Sequence, residues 1–209
     1  MSNTHEVVIV GGGFSGLLCG YFLKEAGVED FSILEMGSSL GGVWQKGGVG
    51  GYPGAACDVP SYAYLPFLDR IGFIPSKKYV SQQEIAEYTD RLVDYCGLQP
   101  HIRFSTKVSD IQYVDGGQWQ ISTQDMNSGE AGQTFTAQHV VSANGPLSTP
   151  RMPEVAGMAS FQGPAFHTAQ WDYSVDLKGK RVGIVGTGAS AAQVITSIAD
   201  EVETLTVFQ

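Results

Sequence analysis

Twice in this chain a short β-branched run breaks into a glycine-cornered turn and resumes as an apolar-periodic segment, an arrangement that few folds use. Residues 6–10 lead into Gly11-Gly12-Gly13-Phe14-Ser15-Gly16, and residues 17–26 continue with the periodicity of a helix. Gly27 predicts the end of that helix, and residues 31–34 a second strand with Glu35 at its tip. The second occurrence has a strand over 181–185, the turn Gly186-Thr187-Gly188-Ala189-Ser190-Ala191, a helix over 192–199 and a strand over 204–208. Strand, glycine turn, helix and strand make a βαβ unit, so the chain reads as α/β with two Rossmann-like domains.

The residue types in these turns have a common use. Gly11 permits the tight turn, Gly13 lets the backbone approach a pyrophosphate, and Gly16 lets helix and strand pack closely. The helix start then presents its N–H groups to an anion. Glu35 lies 35 less 11, or 24, positions after Gly11, near the spacing that sets a carboxylate on the ribose hydroxyls of an adenine dinucleotide. The plainer reading of Glu35 is a solvated charge at a strand end. In the second turn Gly186 and Gly188 keep the pattern, and Ala191 replaces the third glycine, a change the fingerprint permits. Two units imply two dinucleotides, a flavin and a nicotinamide, since such enzymes pass a hydride from one to the other. Twenty-four positions from Gly186 falls on 210, past Gln209, so this count leaves NADP and NAD open.

Between the two units the pattern is mixed. Residues 37–64 are irregular and rich in Gly, Pro and aromatics, as functional loops often are. Ser81-Gln82-Gln83-Glu84 predicts a capping box opening a helix on Ile85, Tyr88, Leu92 and Tyr95 that ends at Gly97. Short strands follow at 102–104, 107–114, 119–123 and 133–136, the last three as a β-meander, and another at 139–142. Pro146, Pro150 and Pro153 mark a linker. The expected organisation is a first nucleotide domain over 1–145, a linker over 146–178, and the start of a second, incomplete nucleotide domain over 179–209.

Composition narrows the function classes. A net charge of −9 argues against binding a nucleic-acid backbone. A mean hydropathy of −0.02, with no apolar run of membrane-spanning length, argues against a membrane chain. The polar start, residues 1–6, shows neither a secretory signal nor a transit peptide, so the cytoplasm is the expected location. Cys19, Cys57 and Cys96 are odd in number and lack metal-ligand spacing, which predicts three reduced thiols and no metal site. No nucleophile triad or paired-carboxylate motif suggests hydrolysis.

The run FQGPAFHTAQWD places Phe161, Gly163, His167, Trp171 and Asp172 in the pattern FxGxxxHxxxW(P/D), and in this the chain resembles the Baeyer-Villiger type of class B flavoprotein monooxygenases. Nearly the whole chain takes part in the resemblance. Gly41-Gly42-Val43-Trp44 is similar to the family's flavin-covering segment, and Tyr52-Pro53-Gly54-Ala55-Ala56-Cys57-Asp58, with Tyr64 beyond it, to its YPGxxxD stretch. The resemblance implies FAD as the first cofactor and NADP, with NAD not excluded, as the second. It also implies insertion of one atom of O₂ beside a ketone carbonyl to give an ester or lactone. Asp58 is the implied catalytic carboxylate, which in that family orients an arginine near the flavin. That arginine is expected beyond residue 209. Gly42, Val43, Trp44, Tyr64 and Val108 join the implied FAD contacts.

Several readings stay open. As residues alone, His167 and Trp171 can simply share one face of a short turn, Asp58 can form an Asx turn, and Trp44 and Tyr64 can be core aromatics. Ala56 stands where some relatives have Arg, and the glycines at 47, 48, 50 and 51 replace a more aromatic stretch, which leaves the ketone open. The alternatives are oxidation of nitrogen or sulfur, against which Trp171 and Asp172 speak, and a non-catalytic FAD-binding fragment. A chain ending at Gln209 is expected to hold FAD weakly and not to turn over. Small-molecule substrate and O₂ are the expected partners, and the oligomeric state is left open.

Overall fold

The computed structural model describes residues 3–45 and 51–209. By compactness the chain divides into residues 1–43 with 86–148, and residues 44–85 with 149–209. This division reflects contacts and not cofactors, and it cuts across the boundaries at 145 and 178 expected for the nucleotide domains.

The first unit is built on a six-stranded sheet in the order β3-β2-β1-β6-β5-β4. β1 (Thr4–Val10), β2 (Phe31–Leu34), β3 (Ile102–Arg103) and β6 (Phe135–Ser142) run parallel, while β4 (Thr106–Val114) and β5 (Gln118–Asp125) complete the meander antiparallel. All four residues of β2 are buried, as are Val7, Val8 and Ile9 of β1. A strand covered on both faces reads as a continuous apolar run rather than an alternation, which is why these two carry VVIV and FSIL.

The two faces have different partners. Val8 and Leu34 point into a cluster with Ile121, Phe135 and Ala137, against which Val10, Val108, Trp119 and Val140 also pack. Their neighbours Ile9 and Ile33 face helix α1 (Phe14–Glu25), where a Cβ on Gly16 would lie 3.4 Å from Ile9 and one on Gly20 3.2 Å from Ile33. α1 begins directly after Gly13, three residues earlier than the periodicity suggests. It ends in a Schellman motif, in which the Gly27 N–H donates to Lys24 O (2.9 Å) and the Val28 N–H to Leu23 O (2.9 Å), with Gly27 at φ +82°. Helix α4 (Gln82–Cys96) closes in the same way through Gly97 and Leu98, and Lys24 Nζ donates to the carbonyls of Cys96 (3.1 Å) and Gly97 (2.8 Å).

Two expectations are corrected. The strands expected at 133–136 and 139–142 are one strand, β6, because Thr136 and Ala137 pair with β5 on one side and β1 on the other, and pairing to β1 continues to Ser142. The capping box forms only by half: the Glu84 N–H reaches Ser81 Oγ at 3.4 Å, but the Glu84 carboxylate accepts from the backbone N–H and hydroxyl of Ser76 instead.

In the second unit two short helices, α2 (Ser61–Tyr64) and α3 (Leu68–Ile71), lie within the early segment, and the later one forms a parallel pair, β7 (Arg181–Val185) and β8 (Thr204–Phe208), joined by α5 (Ala189–Ile198). The stretch between β6 and β7 has only two 3₁₀ turns, Met158–Ser160 and Thr168–Gln170. The glycines at 47, 48 and 50 lie outside the described residues.

If the cluster on the Val8–Leu34 face stabilises the sheet, Ile121→Ala should cost about 2–5 kcal/mol, the range for a buried aliphatic truncation. Urea unfolding followed by Trp119 fluorescence measures this, and a shift under about 1 kcal/mol would show that the cluster relaxes around the cavity.

Candidate functional site

The first glycine corner sits at the carboxyl end of β1. Gly11, at φ +108°, donates its N–H to Leu34 O at 2.9 Å, and a Cβ there would lie 2.6 Å from the Ala143 carbonyl oxygen. At Gly16 a Cβ would stand 2.0 Å from Gly11 O, so helix and corner meet backbone to backbone. Gly13 is the N-cap of α1, contributes no side-chain cap, and accepts from the Leu17 N–H at 3.0 Å; no acidic residue occupies the first turn through Phe14, Ser15 and Gly16. A helix start of this kind, with glycine where a Ser or Asp cap would stand, suits an anion.

Glu35 closes the site. It is 4% exposed, its Oε2 accepts from the Gly12 N–H at 2.7 Å, and its Oε1 accepts from the Gly37 N–H at 2.7 Å. Its own backbone is held between Arg103 O and the Thr106 N–H, both at 2.9 Å. A solvated end charge does not fit this burial. Each oxygen keeps a second acceptor site, as two adjacent ribose hydroxyls would require. Gly42 lies against Gly13, where a Cβ on Gly13 would be 3.6 Å from Gly42 Cα; Gly42 and half-buried Val43 stand in a 3₁₀ turn with Trp44. Val108, partly buried, packs against the core cluster.

The second corner repeats the first. Gly186 has φ +109° and donates its N–H to Phe208 O at 2.8 Å; Gly188 is an N-cap at φ −73°, ψ 179°, against −77°, 178° for Gly13. Ala189 and Ser190 open α5, Thr187 is exposed in the turn, and Ala191, 8% exposed, takes the third glycine's place. The register corrects the spacing. Val10 pairs with Leu34 and Val185 with Phe208, so the position matching Glu35 is Gln209, 209 less 186, or 23, positions from Gly186 and not 24. A neutral amide stands where the first unit has a carboxylate.

In the second unit Trp44 Nε1 donates to Tyr64 Oη at 2.6 Å, with the rings edge to face at 5.9 Å. Burial pushes the Tyr64 hydroxyl above its ordinary pKa; the Trp44 bond opposes this, and the charges of Cys57 and Asp58 add to it. Asp58 is exposed on a bend after the segment Ala55-Ala56-Cys57. That segment is held on one edge by main chain, the Cys57 N–H donating to Val80 O (3.0 Å) and the Gln82 N–H to Ala55 O (2.8 Å). On its other edge is Gln193, whose Nε2 donates to Ala56 O at 2.8 Å while its Oε1 accepts from Tyr52 Oη at 2.9 Å and the Ala56 N–H at 3.4 Å. Sequence reasoning missed Gln193 and the hydroxyl of Tyr52. The available signal was the polar stripe Ser190, Gln193, Ser197 at helical spacing along α5.

The fingerprint stretch is local in its bonding. His167 Nδ1 accepts from the Ala169 N–H at 3.0 Å and caps the turn Thr168–Gln170, while Trp171 meets Phe166 edge to face at 5.1 Å and Tyr173 at 6.4 Å. His167 and Trp171 therefore flank the turn, each with partners of its own. Asp172 accepts from the Ser174 hydroxyl (2.6 Å) and N–H (2.9 Å), which hold its carboxyl below the ordinary range. Phe161 is 64% exposed, and a Cβ on Gly163 would lie 2.8 Å from its ring. Among the described residues no His, Cys, Asp and Glu group could hold a metal, and no helix is long and apolar enough to cross a membrane.

Residues 4–208 match the family model described as flavin-binding monooxygenase-like. A Baeyer-Villiger monooxygenase of Streptomyces coelicolor is 39% identical over 98% of this chain and 37% of its own length. Baeyer-Villiger monooxygenase ATR8 of Stachybotrys chlorohalonatus is 39% identical over 100% of this chain and 34% of its own. Among solved structures, the polycyclic ketone monooxygenase of Thermothelomyces thermophila superposes with a TM-score of 0.92 at 34% identity, covering 100% of this chain and 35% of that one. OTEMO in complex with FAD and NADP superposes at 0.86 with 33% identity, over 98% of this chain and 38% of that one. The chain spans about a third of the length of the curated relatives it matches.

Glu35→Gln tests the pinned carboxylate without any nucleotide. An amide has one acceptor oxygen for the two N–H groups of Gly12 and Gly37, so the variant should lose about 1–3 kcal/mol of stability. An unchanged urea midpoint in ligand-free protein would show that the two amides do not hold the carboxylate.

Proposed function

The chain belongs to the flavin-binding monooxygenase-like family, and we propose that it supplies the FAD seat and the opening of the NADP seat of a monooxygenase acting on ketones. The observation that carries this reading is the duplicated glycine corner, with φ of +108° at Gly11 and +109° at Gly186 and an uncapped helix start after each. Two such corners in one chain call for two diphosphates, and two relatives matched over 98% and 100% of this chain are named as Baeyer-Villiger monooxygenases.

The residues fit the cofactors. Gly11, Gly13 and Gly16 clear the backbone for the FAD diphosphate at Phe14 and Ser15, and Glu35 accepts from the ribose hydroxyls; Gly42, Val43, Trp44, Asp58, Tyr64 and Val108 complete the FAD set that the family resemblance implies. Gly186, Thr187, Gly188, Ala189, Ser190 and Ala191 receive the second diphosphate. Gln209 favours NADP, because a carboxylate there would repel the 2′-phosphate and a neutral amide does not. When bound, FAD would supply hydride acceptance and the activation of O₂ for insertion beside a carbonyl.

The chain's own part is positional and electrostatic. Asp58 places a negative charge beside Tyr64 and, in this reading, orients a cation toward the reacting oxygen. Phe161, Gly163, His167, Trp171 and Asp172 form the fingerprint segment of the Baeyer-Villiger type, with the turn at Thr168–Gln170 fixing how His167 and Trp171 project. Nucleotide domains over 1–145 and from 179 onward, joined by 146–178, remain the functional division we favour. The substrate we infer is a small-molecule ketone, oxidised with O₂. The three free thiols, each with its pKa raised first of all by burial, suit a reducing cytoplasm.

FAD titration, followed by quenching of flavin fluorescence, should show binding that Glu35→Gln weakens by about tenfold to a hundredfold, as expected for charge-assisted hydrogen bonds. In a parallel titration Gln209→Glu should shift preference from NADP toward NAD by about tenfold or more. A Glu35→Gln protein that binds FAD like the parent would overturn the assignment of the first corner.

A further inference from the structure

We propose that Gln193 is a positioning residue that ties the loop of residues 52–58 to the first turns of α5, so that a nicotinamide dinucleotide seated at the start of α5 orders that loop and with it Asp58. The inference rests on the reading of the second corner as the NADP seat. All the residues concerned lie in the second compact unit.

The link is a continuous chain of hydrogen bonds. Ser190, the second residue of α5, donates from Oγ to Tyr52 Oη at 3.1 Å, and Tyr52 Oη donates in turn to Gln193 Oε1 at 2.9 Å. Gln193 then exchanges bonds with both main-chain groups of Ala56, two residues before Asp58. Its amide acts there as a peptide group would in a neighbouring strand. The segment Ala55-Ala56-Cys57 is thus flanked by main chain from Val80 and Gln82 on one edge and by a single side chain on the other. Close packing supports the contact: a Cβ on Gly54 would lie 2.0 Å from Ser197 Oγ and 2.6 Å from Gln193 O, so only glycine lets the loop descend onto α5.

The chemistry makes the link responsive. The Ser190 backbone N–H lies in the first turn of α5, where a diphosphate can accept from it, while the Ser190 hydroxyl keeps its proton on Tyr52. A dinucleotide that fixes the first turn thereby steadies the Ser190–Tyr52–Gln193 chain and the loop attached to it. Neither Tyr52 nor Gln193 belongs to the glycine corner itself. They lie between the corner and Asp58.

The test is hydrogen exchange read by mass spectrometry on the full 209-residue chain, with and without saturating NADP⁺, beside a direct NADP⁺ titration. In the parent, NADP⁺ should slow exchange across residues 52–58 by about tenfold, the factor expected of one net hydrogen bond. Tyr52→Phe removes only the Ser190–Gln193 link; it should abolish that response while leaving NADP⁺ affinity within about threefold, less than one net hydrogen bond. Gln193→Ala should abolish it too and also raise exchange at 55–57 without ligand. If NADP⁺ binds the parent with no change at 52–58, or if both variants respond like the parent, the positioning role is wrong while the NADP seat stands. Failure of the parent to bind NADP⁺ at all would remove both.

Discussion

Glu35 is buried against the first corner, and two backbone amides make that burial tolerable. A carboxylate 4% exposed would be costly without partners, yet Gly12 and Gly37 each give it an N–H at 2.7 Å. These bonds do more than satisfy a charge. Gly12 belongs to the corner and Gly37 to the chain leaving β2, so the carboxylate ties the turn after β1 to the turn after β2. With Gly11 N–H on Leu34 O, the corner is fixed to β2 from two directions, and α1 can start only where it does. The same oxygens have acceptor sites left, and in the FAD seat we propose they receive the ribose hydroxyls, so structural support and ligand recognition would share one group.

The second corner shows which parts of this arrangement the backbone needs. Its dihedrals match the first within a few degrees, although the first has Glu35 and the second has Gln209 in register. Corner geometry therefore follows from the glycines and the parallel pair, not from the acid. At Gly11 a Cβ would strike Ala143 just beyond β6, whereas at Gly186 nothing lies within 4 Å. The positive φ is common to both, and the crowding is a property of the sheet around the first.

Much of this was legible because it is local. A glycine that must take positive φ, a run of β-branched residues with both faces covered, and an acid at the tip of the next strand are all written within thirty-odd residues of sequence. Long-range facts were not. Nothing around Gln138 says that one strand will pair with β5 at its start and β1 along its length. Ser81 and Glu84 spell a capping box, but Ser76 offers the Glu84 carboxylate an N–H and a hydroxyl together, and takes it. The 24-position count failed at the second corner because α5 is two residues shorter than α1 while β8 is one longer than β2; only pairing register reveals that Gln209 is the matching position. Gln193 escaped because its partner, the backbone of Ala56, lies 137 residues away.

The acidic composition bears differently on nucleic acids and on dinucleotides. A polyanion with a charge at every phosphate needs a basic face, and a net charge of −9 argues against one. A dinucleotide presents one diphosphate, and a helix start meets it with N–H groups whose partial charge needs no lysine or arginine. Neither GGGFSG nor GTGASA has a charged side chain. In the function we propose, glycine-lined helix starts thus let a strongly acidic chain bind anions at two chosen points while its net charge disfavours extended ones.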